Sequence, residues 1–512
     1  MCMIIASKKL VAEHMSEERA QGTTFAVTTL GCKVNQADSE AISEQMNAAG
    51  FEQRDFSEAA DIYIVNTCTV THLGDRSSRQ LIAQAQRRRP DALLVVTGCY
   101  AELNPQAVAA LPGVDLVVGN SAKDGLIGTI QAKIETGSQD KQSVLAPTIP
   151  TPAGRTLPVL PLDTQHIGSD GAPGFQLAEE EPQPDNPSHL SPFSASIQAL
   201  QTPQTSPTPA GNNRSIFSRT RVQMKVQDGC DNRCTYCIVP TVRGKSRSRS
   251  IDSVVEQVRR KTRAGFQEVV LTGIHLGDYH PDTDQKQDLG DLIAALLRET
   301  EIPRIRVSSL EPEDFRLEWL ELWQDPRMCR HLHLPMQSGS DAILRRMARR
   351  YNSARYHTII TSAKRLVPGI AISTDIITGF PGESDEDFEQ TYALAQELEF
   401  AKSHVFRFSA RQGTAAARMR GQIKEEVKKA RSGRLLTLHD EHSRLFRQRF
   451  LGETVEVLLE QARHDSWEGL TDNYLRVEIH DLPQQAGDWQ HALVKARLTH
   501  LVDDGLCGTY VR

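Results

Sequence analysis

The run Arg221-Val222-Gln223-Met224-Lys225-Val226-Gln227-Asp228-Gly229-Cys230-Asp231-Asn232-Arg233-Cys234-Thr235-Tyr236-Cys237 joins a β-prone stretch to a glycine and three cysteines. Its first seven residues predict a strand, and the same theme repeats downstream. Glu268–Gly273, Arg304–Leu310, His331–Met336, Ile370–Thr378 and Ser403–Phe408 are the further strand candidates. Helical stretches separate them at Val254–Ala264, Asp291–Arg298, Ala342–Arg350 and Asp387–Leu398. Strands alternating with helices build a parallel sheet. Six βα units without a return predict an open, partial (β/α) barrel, with its chemistry at the carboxyl ends of the strands. The three cysteines fall at such an end.

Their spacing, CxxxCxxC over Cys230, Cys234 and Cys237, lets one loop bring three thiolates to one centre. A structural zinc normally takes four protein ligands, and no fourth Cys or His lies close by in sequence. An iron–sulfur cubane held by three cysteines leaves one iron open for a further ligand. A buried thiol cluster, or zinc completed by a distant His, is the competing reading.

Working outward to the amino-terminal side, Phe25-Ala26-Val27, Ile62-Tyr63-Ile64-Val65, Leu93-Leu94-Val95-Val96 and Val114–Val118 are short apolar runs, with helical stretches at Asp38–Ala49 and Arg76–Arg88. They predict a second parallel sheet. Cys32, Cys68 and Cys99 each fall just past the end of one of the first three runs, so the sheet would gather them on one edge as a second three-ligand set. Cys2, Cys329 and Cys507 lack such neighbours and are read as structural or incidental. Towards the carboxyl end, Lys424–Arg449 reads as a long basic helix. Period-two alternation at Val455-x-Val457-x-Leu459, Leu475-x-Val477-x-Ile479 and Val494-x-Ala496-x-Leu498 then predicts a small antiparallel β-barrel.

The organisation expected is an extension (1–23), a cysteine-bearing sheet domain (24–136), a linker (137–213), the partial barrel (214–449) and the small β-barrel (450–512). The 77 linker residues hold 13 of the 25 prolines and two basic residues, a composition that predicts disorder. With 39% apolar residues and no apolar run near the ~20 needed to span a bilayer, the 512-residue chain is expected to be soluble. The start has no secretory pattern, which predicts a cytoplasmic chain whose nine cysteines stay reduced. The net charge of −6 hides a local +9 between Arg214 and Arg263 (13 basic, 4 acidic), around the cysteine loop.

These motifs resemble the radical S-adenosylmethionine methylthiotransferases over residues 24–136 and 214–512. The CxxxCxxC loop is similar to the radical-SAM signature, the scattered cysteines to that family's amino-terminal cluster domain, and the tail to its TRAM barrel. Leu30-Gly31-Cys32-Lys33-Val34-Asn35-Gln36, Asn66-Thr67-Cys68-Thr69-Val70-Thr71 and Leu271-Thr272-Gly273-Ile274-His275-Leu276-Gly277 resemble the branch acting on threonylcarbamoyladenosine. The resemblance implies methylthio transfer to C2 of N6-threonylcarbamoyladenosine at position 37 of tRNA. It implies two [4Fe–4S] clusters, on Cys230, Cys234 and Cys237 and on Cys32, Cys68 and Cys99. Two molecules of S-adenosylmethionine are implied per turnover: one gives a radical that removes the C2 hydrogen, the other supplies the methyl group. The tRNA anticodon stem-loop and a flavodoxin- or ferredoxin-type reductant are the implied partners, with no membrane; the sulfur donor is not identified.

Residues at strand ends are the expected contacts to S-adenosylmethionine: Thr272 and Gly273, Ser309 and Glu311, Gln337, and the Thr378–Glu383 turn. Tyr236 either packs on its adenine or anchors the loop. Arg243, Lys245, Arg247 and Arg249 form an alternating string suited to phosphates, extended by Arg345, Arg346, Arg349 and Arg350 or left there as a solvated face. The tail has 5 basic against 11 acidic residues, so Trp467, Tyr474 or Trp489 would have to meet RNA by stacking, or the tail serves as a cap. Arg411-Gln412-Gly413-Thr414-Ala415-Ala416 has alanine where the family commonly has proline. Alternatives are methylthiolation of isopentenyladenosine in tRNA, methylthiolation of a ribosomal-protein aspartate, and a non-catalytic RNA-binding iron–sulfur sensor.

Overall fold

The amino-terminal sheet is wholly parallel, with strands β1 (Thr24–Thr29), β2 (Glu52–Gln53), β3 (Ile62–Thr67), β4 (Leu93–Gly98), β5 (Leu116–Val118) and β6 (Ser143–Leu145) in the order β2-β1-β3-β4-β5-β6. Its strands β3 and β4 are buried along nearly their whole length because helices cover both faces. Ala26, Tyr63, Val65, Leu94 and Val96 pack on one side, and Phe25, Ile62, Ile64 and Val95 on the other. The computed structural model describes residues 22–70, 72–136, 143–145, 220–283, 286–483 and 489–512. The extension with Cys2 and nearly all of the expected linker lie outside the described residues. One piece of that linker does not: β6 pairs with β5, and three residues (Ser-Val-Leu) are too few to stand out in a Ser- and Thr-rich stretch.

The second region carries β7 (Arg221–Lys225), the two-residue strands β8 (Gln227–Asp228) and β9 (Arg247–Ser248), β10 (Glu268–Thr272), β11 (Arg304–Val307), β12 (His331–His333), β13 (Ala371–Thr378) and β14 (Lys402–Arg407). Two parallel sheets, β11-β10-β7 and β12-β13-β14, are joined by parallel bridges at Ser309–His333 and Ile305–Met328. The six strands therefore run in sequence order around a partial barrel. Val222, Met224, Val269, Leu271, Ile305, Leu332, Ile372 and Ile376 point outward into the helix-packed core. By strand alternation Gln223, Glu268, Arg304, Arg306, His331, His333, Ser373, Asp375 and His404 share the opposite, lumen face. β8 and β9 pair antiparallel and close the base of the cysteine loop.

A helix over Glu425–Gln448 leads to a closed barrel of β15 (Thr454–Ala462), β16 (Trp467–Thr471), β17 (Arg476–Ile479), β18 (Leu493–Val502) and β19 (Gly505–Val511), in the order β15-β16-β17-β19-β18. Val455, Val457, Leu459, Val477, Ile479, Val494, Ala496 and Leu498 fill it, as the alternation predicts. One seam is not antiparallel: β17 and β19 pair in parallel, because β18 passes around to the other side of β19. The β16–β17 turn docks under the partial barrel, where Asp472 pairs with Arg330 at 2.6 Å and its carbonyl accepts from Arg306 at 2.7 Å. Arg306 is fully buried and also paired with Glu268 at 2.6 Å. Its guanidinium lies 3.8 Å from the Tyr474 ring centre, and the His331 ring meets Tyr474 edge-on at 4.5 Å. Tyr474 is therefore committed to this joint. Trp467 and Trp489 are half-buried and pack on the small barrel's core.

Candidate active site

Cys32, Cys68 and Cys99 follow β1, β3 and β4, three neighbouring strands, at the same edge of the sheet. The approach is close: Gly31 has φ of 100°, and a Cβ there would lie 2.9 Å from the Cys68 sulfur. Burial pushes the Cys68 thiol up to about 12, and the charges of Cys99 and Cys32 add to the shift.

The second trio sits on the loop after β8. Gly229 has φ of 76°, and a Cβ there would lie 1.9 Å from the Lys245 carbonyl, so only glycine lets the loop fold back on itself. Gln227 holds that fold, its amide donating to Gly229 O at 2.8 Å and Ser246 Oγ at 2.9 Å, while its Oε1 accepts from His275 N at 2.8 Å. Two further side chains reach the sulfurs themselves. Arg349 donates to Cys234 Sγ at 3.2 Å, and His275 Nδ1 lies 3.6 Å from Cys230 Sγ with its Nε2 at 2.6 Å from Asp314. Burial opposes charge on His275, yet Asp314 and Cys230 raise it to about 10. Burial pushes Cys237 up to about 12.

The two trios face one another. Cys99 packs against Ile238 and Val242, directly after Cys237 in the chain. Arg243, 4% exposed, reaches across to Asn35 and Asp38 while also holding Asp228. Lys225 and Lys123 converge on the same Asp38 at 2.5 and 2.8 Å. Against the cost of burial, these three cations hold the Asp38 carboxyl well below its usual range. On the other flank Arg411 bonds the carbonyl and hydroxyl of Thr69, beside Cys68, and pairs with Asp75 at 3.1 Å.

Residues 24–119 match the model of "uncharacterized protein family UPF0004", and residues 224–395 match that of the radical SAM superfamily. The chain is 36% identical to the threonylcarbamoyladenosine tRNA methylthiotransferase MtaB of Bacillus subtilis, across 89% of this chain and 90% of that one. It belongs to the radical SAM methylthiotransferases. MtaB of Aquifex aeolicus is 33% identical over 88% of this chain and 96% of its own length. The tRNA-2-methylthio-N(6)-dimethylallyladenosine synthase of Methylacidiphilum infernorum is 30% identical over 85% of this chain and 83% of its own. Among solved structures, the radical S-adenosylmethionine methyltransferase TsrM of Kitasatospora setae shares the fold, with a TM-score of 0.51, 15% identity, and coverage of 77% of this chain and 75% of that one.

In this methylthiotransferase the expected cofactor contacts occupy different environments. Thr272 is buried, and its carbonyl accepts from Val226 N at 3.0 Å. The space over Gly273 is taken by Gln227, whose Oε1 would lie 2.8 Å from an added Cβ, so the close approach there is made by a side chain of the fold. Ser309 is exposed at the strand end. Glu311 is not free: Arg349 pairs with it and with Glu313 at 3.1 Å. Gln337, at φ 59°, is held by backbone bonds to Asp375 and Ile377. Tyr236 meets Phe380 edge-on at 6.3 Å within an apolar group with Ile343 and Met347.

The basic string divides. Lys245 and Arg247 are exposed, but Arg243 is buried in the inter-domain network and Arg249 bonds Ser253 and Gln257. Arg349 likewise leaves the expected RNA face for the cysteine loop, and Arg346 bonds Pro381 O at 3.0 Å. The 411–416 loop closes on the cysteine loop through Ala416 N to Thr235 O at 2.8 Å. No role is assigned from sequence to Glu313, His275, Gln227 or Arg411, and Arg349 is read there as part of an RNA-facing string or a solvated face. Their only sequence signal was a place at or just past a strand or helix end.

Proposed function

We propose that the enzyme methylthiolates C2 of N6-threonylcarbamoyladenosine beside the anticodon of tRNA, as the names of its Bacillus and Aquifex relatives indicate for those proteins. The observation that carries the reading is the meeting of two separate three-cysteine sets across Cys99, Ile238, Val242 and Arg243. A single three-cysteine site would serve radical generation alone; sulfur delivery calls for a second.

The donor sets fit iron–sulfur clusters. Thiols pushed to about 12 by burial stay protonated at neutral pH unless metal takes the proton's place. Arg349 and His275 supply the hydrogen bonds to sulfur that tune such centres. Cys230, Cys234 and Cys237 would hold one [4Fe–4S] group and Cys32, Cys68 and Cys99 the other. With S-adenosylmethionine bound, these cofactors supply homolytic activation of an inert C–H bond, which no polar side chain achieves. The chain's own part is geometric. Gln227 and the β8–β9 ladder fix the cysteine loop, Arg243 and Arg411 fix the distance between the two sets, and Tyr236 with Phe380 closes the loop's apolar side against water. Exposed Lys245 and Arg247 are placed to meet RNA phosphates, which position the substrate without reading its sequence.

No helix among the described residues is long and apolar enough to cross a membrane. A cytoplasmic enzyme served by a flavodoxin- or ferredoxin-type reductant fits this reading. Mass spectrometry of tRNA nucleosides from cells with and without the gene tests it. Deletion should remove 2-methylthio-threonylcarbamoyladenosine and leave its unthiolated precursor. An unchanged profile, in a strain that contains that nucleoside, would reject the substrate.

A further inference from the structure

The lumen of the partial barrel is polar where a six-stranded barrel of this size could be filled with aliphatic side chains. His333 on β12, Asp375 on β13 and His404 on β14 offer three ligating atoms within 4.8 Å of one another. Asp375 lies 3.0 Å from His404 Nδ1 and 3.4 Å from His333 Nε2, and the two imidazole rings are 5.7 Å apart. Ser373 Oγ ties the group to the lumen wall, at 2.9 Å from His333 Nδ1 and 2.9 Å from His331 Nε2. The cluster is not sealed: the side chains of Asp375 and His404 keep 28% and 41% of their exposure.

Four observations favour a polar occupant. Gln223 Oε1, Ser308 Oγ and His331 Nδ1, all on the lumen face, are buried without a hydrogen-bond partner among the described residues. Such atoms are costly to leave unmet and are rarely left so unless something else satisfies them. Asp375 supplies a charged acceptor and His404, whose Nδ1 meets Asp375, keeps Nε2 for a further partner, a set that suits a group carrying N–H or O–H together with carbonyl or carboxylate oxygens. Lys33, next to Cys32, makes no ion pair among the described residues, yet its charge acts on His331, adding to burial and Arg306 in lowering that imidazole's basicity. Finally, Gln337, at the end of β12, is tied by its backbone to Asp375 and Ile377, which fixes the cluster relative to the strand ends where the chemistry lies.

We infer that His333, Asp375 and His404 form the pocket for the N6 substituent of the target adenosine, and that this substituent is a hydroxy-carboxylate joined through a urea. The inference rests on the proposed function and deepens it, because the pocket then discriminates between the substrates named for the two kinds of relative. A threonylcarbamoyl group offers partners to Asp375 and the imidazoles, and its carboxylate answers Lys33. A dimethylallyl group would leave the same buried polar atoms unmet.

The test uses the cluster-loaded enzyme with three anticodon stem-loops, bearing threonylcarbamoyladenosine, dimethylallyladenosine or plain adenosine at the target position. Binding is read by fluorescence titration and methylthio product by mass spectrometry. The wild type should bind and convert the threonylcarbamoyl stem-loop best. Asp375→Leu and His404→Phe should each weaken its binding and raise its KM on the order of tenfold or more, and should shift preference towards dimethylallyladenosine. Asp375→Asn should keep part of the discrimination, since the amide retains an acceptor. RNA-independent cleavage of S-adenosylmethionine checks that each variant is folded and loaded. A threonylcarbamoyl preference that survives both apolar substitutions would overturn this inference alone. A wild type that converts only the dimethylallyl stem-loop would overturn it together with the reading it rests on.

Discussion

The two cysteine trios reach the same composition by opposite routes. Cys230, Cys234 and Cys237 lie within eight residues on one loop, whose shape is set locally by Gly229, Gln227 and the β8–β9 ladder. Cys32, Cys68 and Cys99 come from three different strand ends and meet only because β1, β3 and β4 are adjacent and parallel. The loop trio is thus a motif with a local scaffold, and the strand-end trio is a product of topology. The difference carries through to their neighbours. The loop sulfurs receive the side chains of Arg349 and His275, whereas the strand-end set has the Arg243 network beside it and, among the described residues, the Asn120 amide 3.6 Å from the Cys99 sulfur. A site made by topology should fail when the sheet or its docking is disturbed; a site made by a loop should fail only when the loop is.

The largest effect expected is from Cys234→Ala. It should remove about half of the bound iron and abolish cleavage of S-adenosylmethionine and all product. Retained cleavage would mean that the loop trio is not where that cofactor is handled. Next is Arg243→Met, which takes one of three cations from buried Asp38 and leaves Asp228 with Lys225. A destabilisation of about 1–3 kcal/mol is expected by chemical denaturation. The strand-end cluster should be lost at lower denaturant than the loop cluster, and simultaneous loss would erase the proposed distinction.

How much of this was legible beforehand depended on how local each cause was. The strand runs, the CxxxCxxC loop and the alignment of Cys32, Cys68 and Cys99 with strand ends are patterns of neighbouring residues, and they could be read directly. Arg243 could not. Its alternating basic context resembles a phosphate-binding string, and only the docking of Asp38, remote in sequence, turns it into a buried structural cation. Arg349 was hidden in the same way by a helix rich in arginine, and Tyr474 by an acidic tail that gives no sign of its place under the partial barrel. The polar lumen was hidden as well, since His333, Asp375 and His404 come from three separate strands.

A finer contrast concerns the sulfur-directed hydrogen bonds. His275→Gln should lower the midpoint potential of the loop cluster by on the order of tens of millivolts and leave the strand-end cluster unchanged, because a donor to sulfur stabilises the reduced state. Asp314 and Cys230 hold His275 protonated to about pH 10, so that shift should be flat between about pH 6 and 8. Equal shifts at both clusters, measured by EPR-monitored titration, would contradict the assignment. Smallest of all, Lys245→Ala with Arg247→Ala should reduce the salt dependence of tRNA binding by about 1.5 units of the log–log slope, with little change in product per bound RNA.

The division of labour between the trios is the central claim, and Cys68→Ala tests it most directly. Reconstituted wild type and variant would be incubated with reductant and the threonylcarbamoyladenosine stem-loop, and 5′-deoxyadenosine and methylthio nucleoside quantified together. The variant should still form 5′-deoxyadenosine and make no methylthio product, while the wild type makes both. Methylthio product from the variant would contradict the claim.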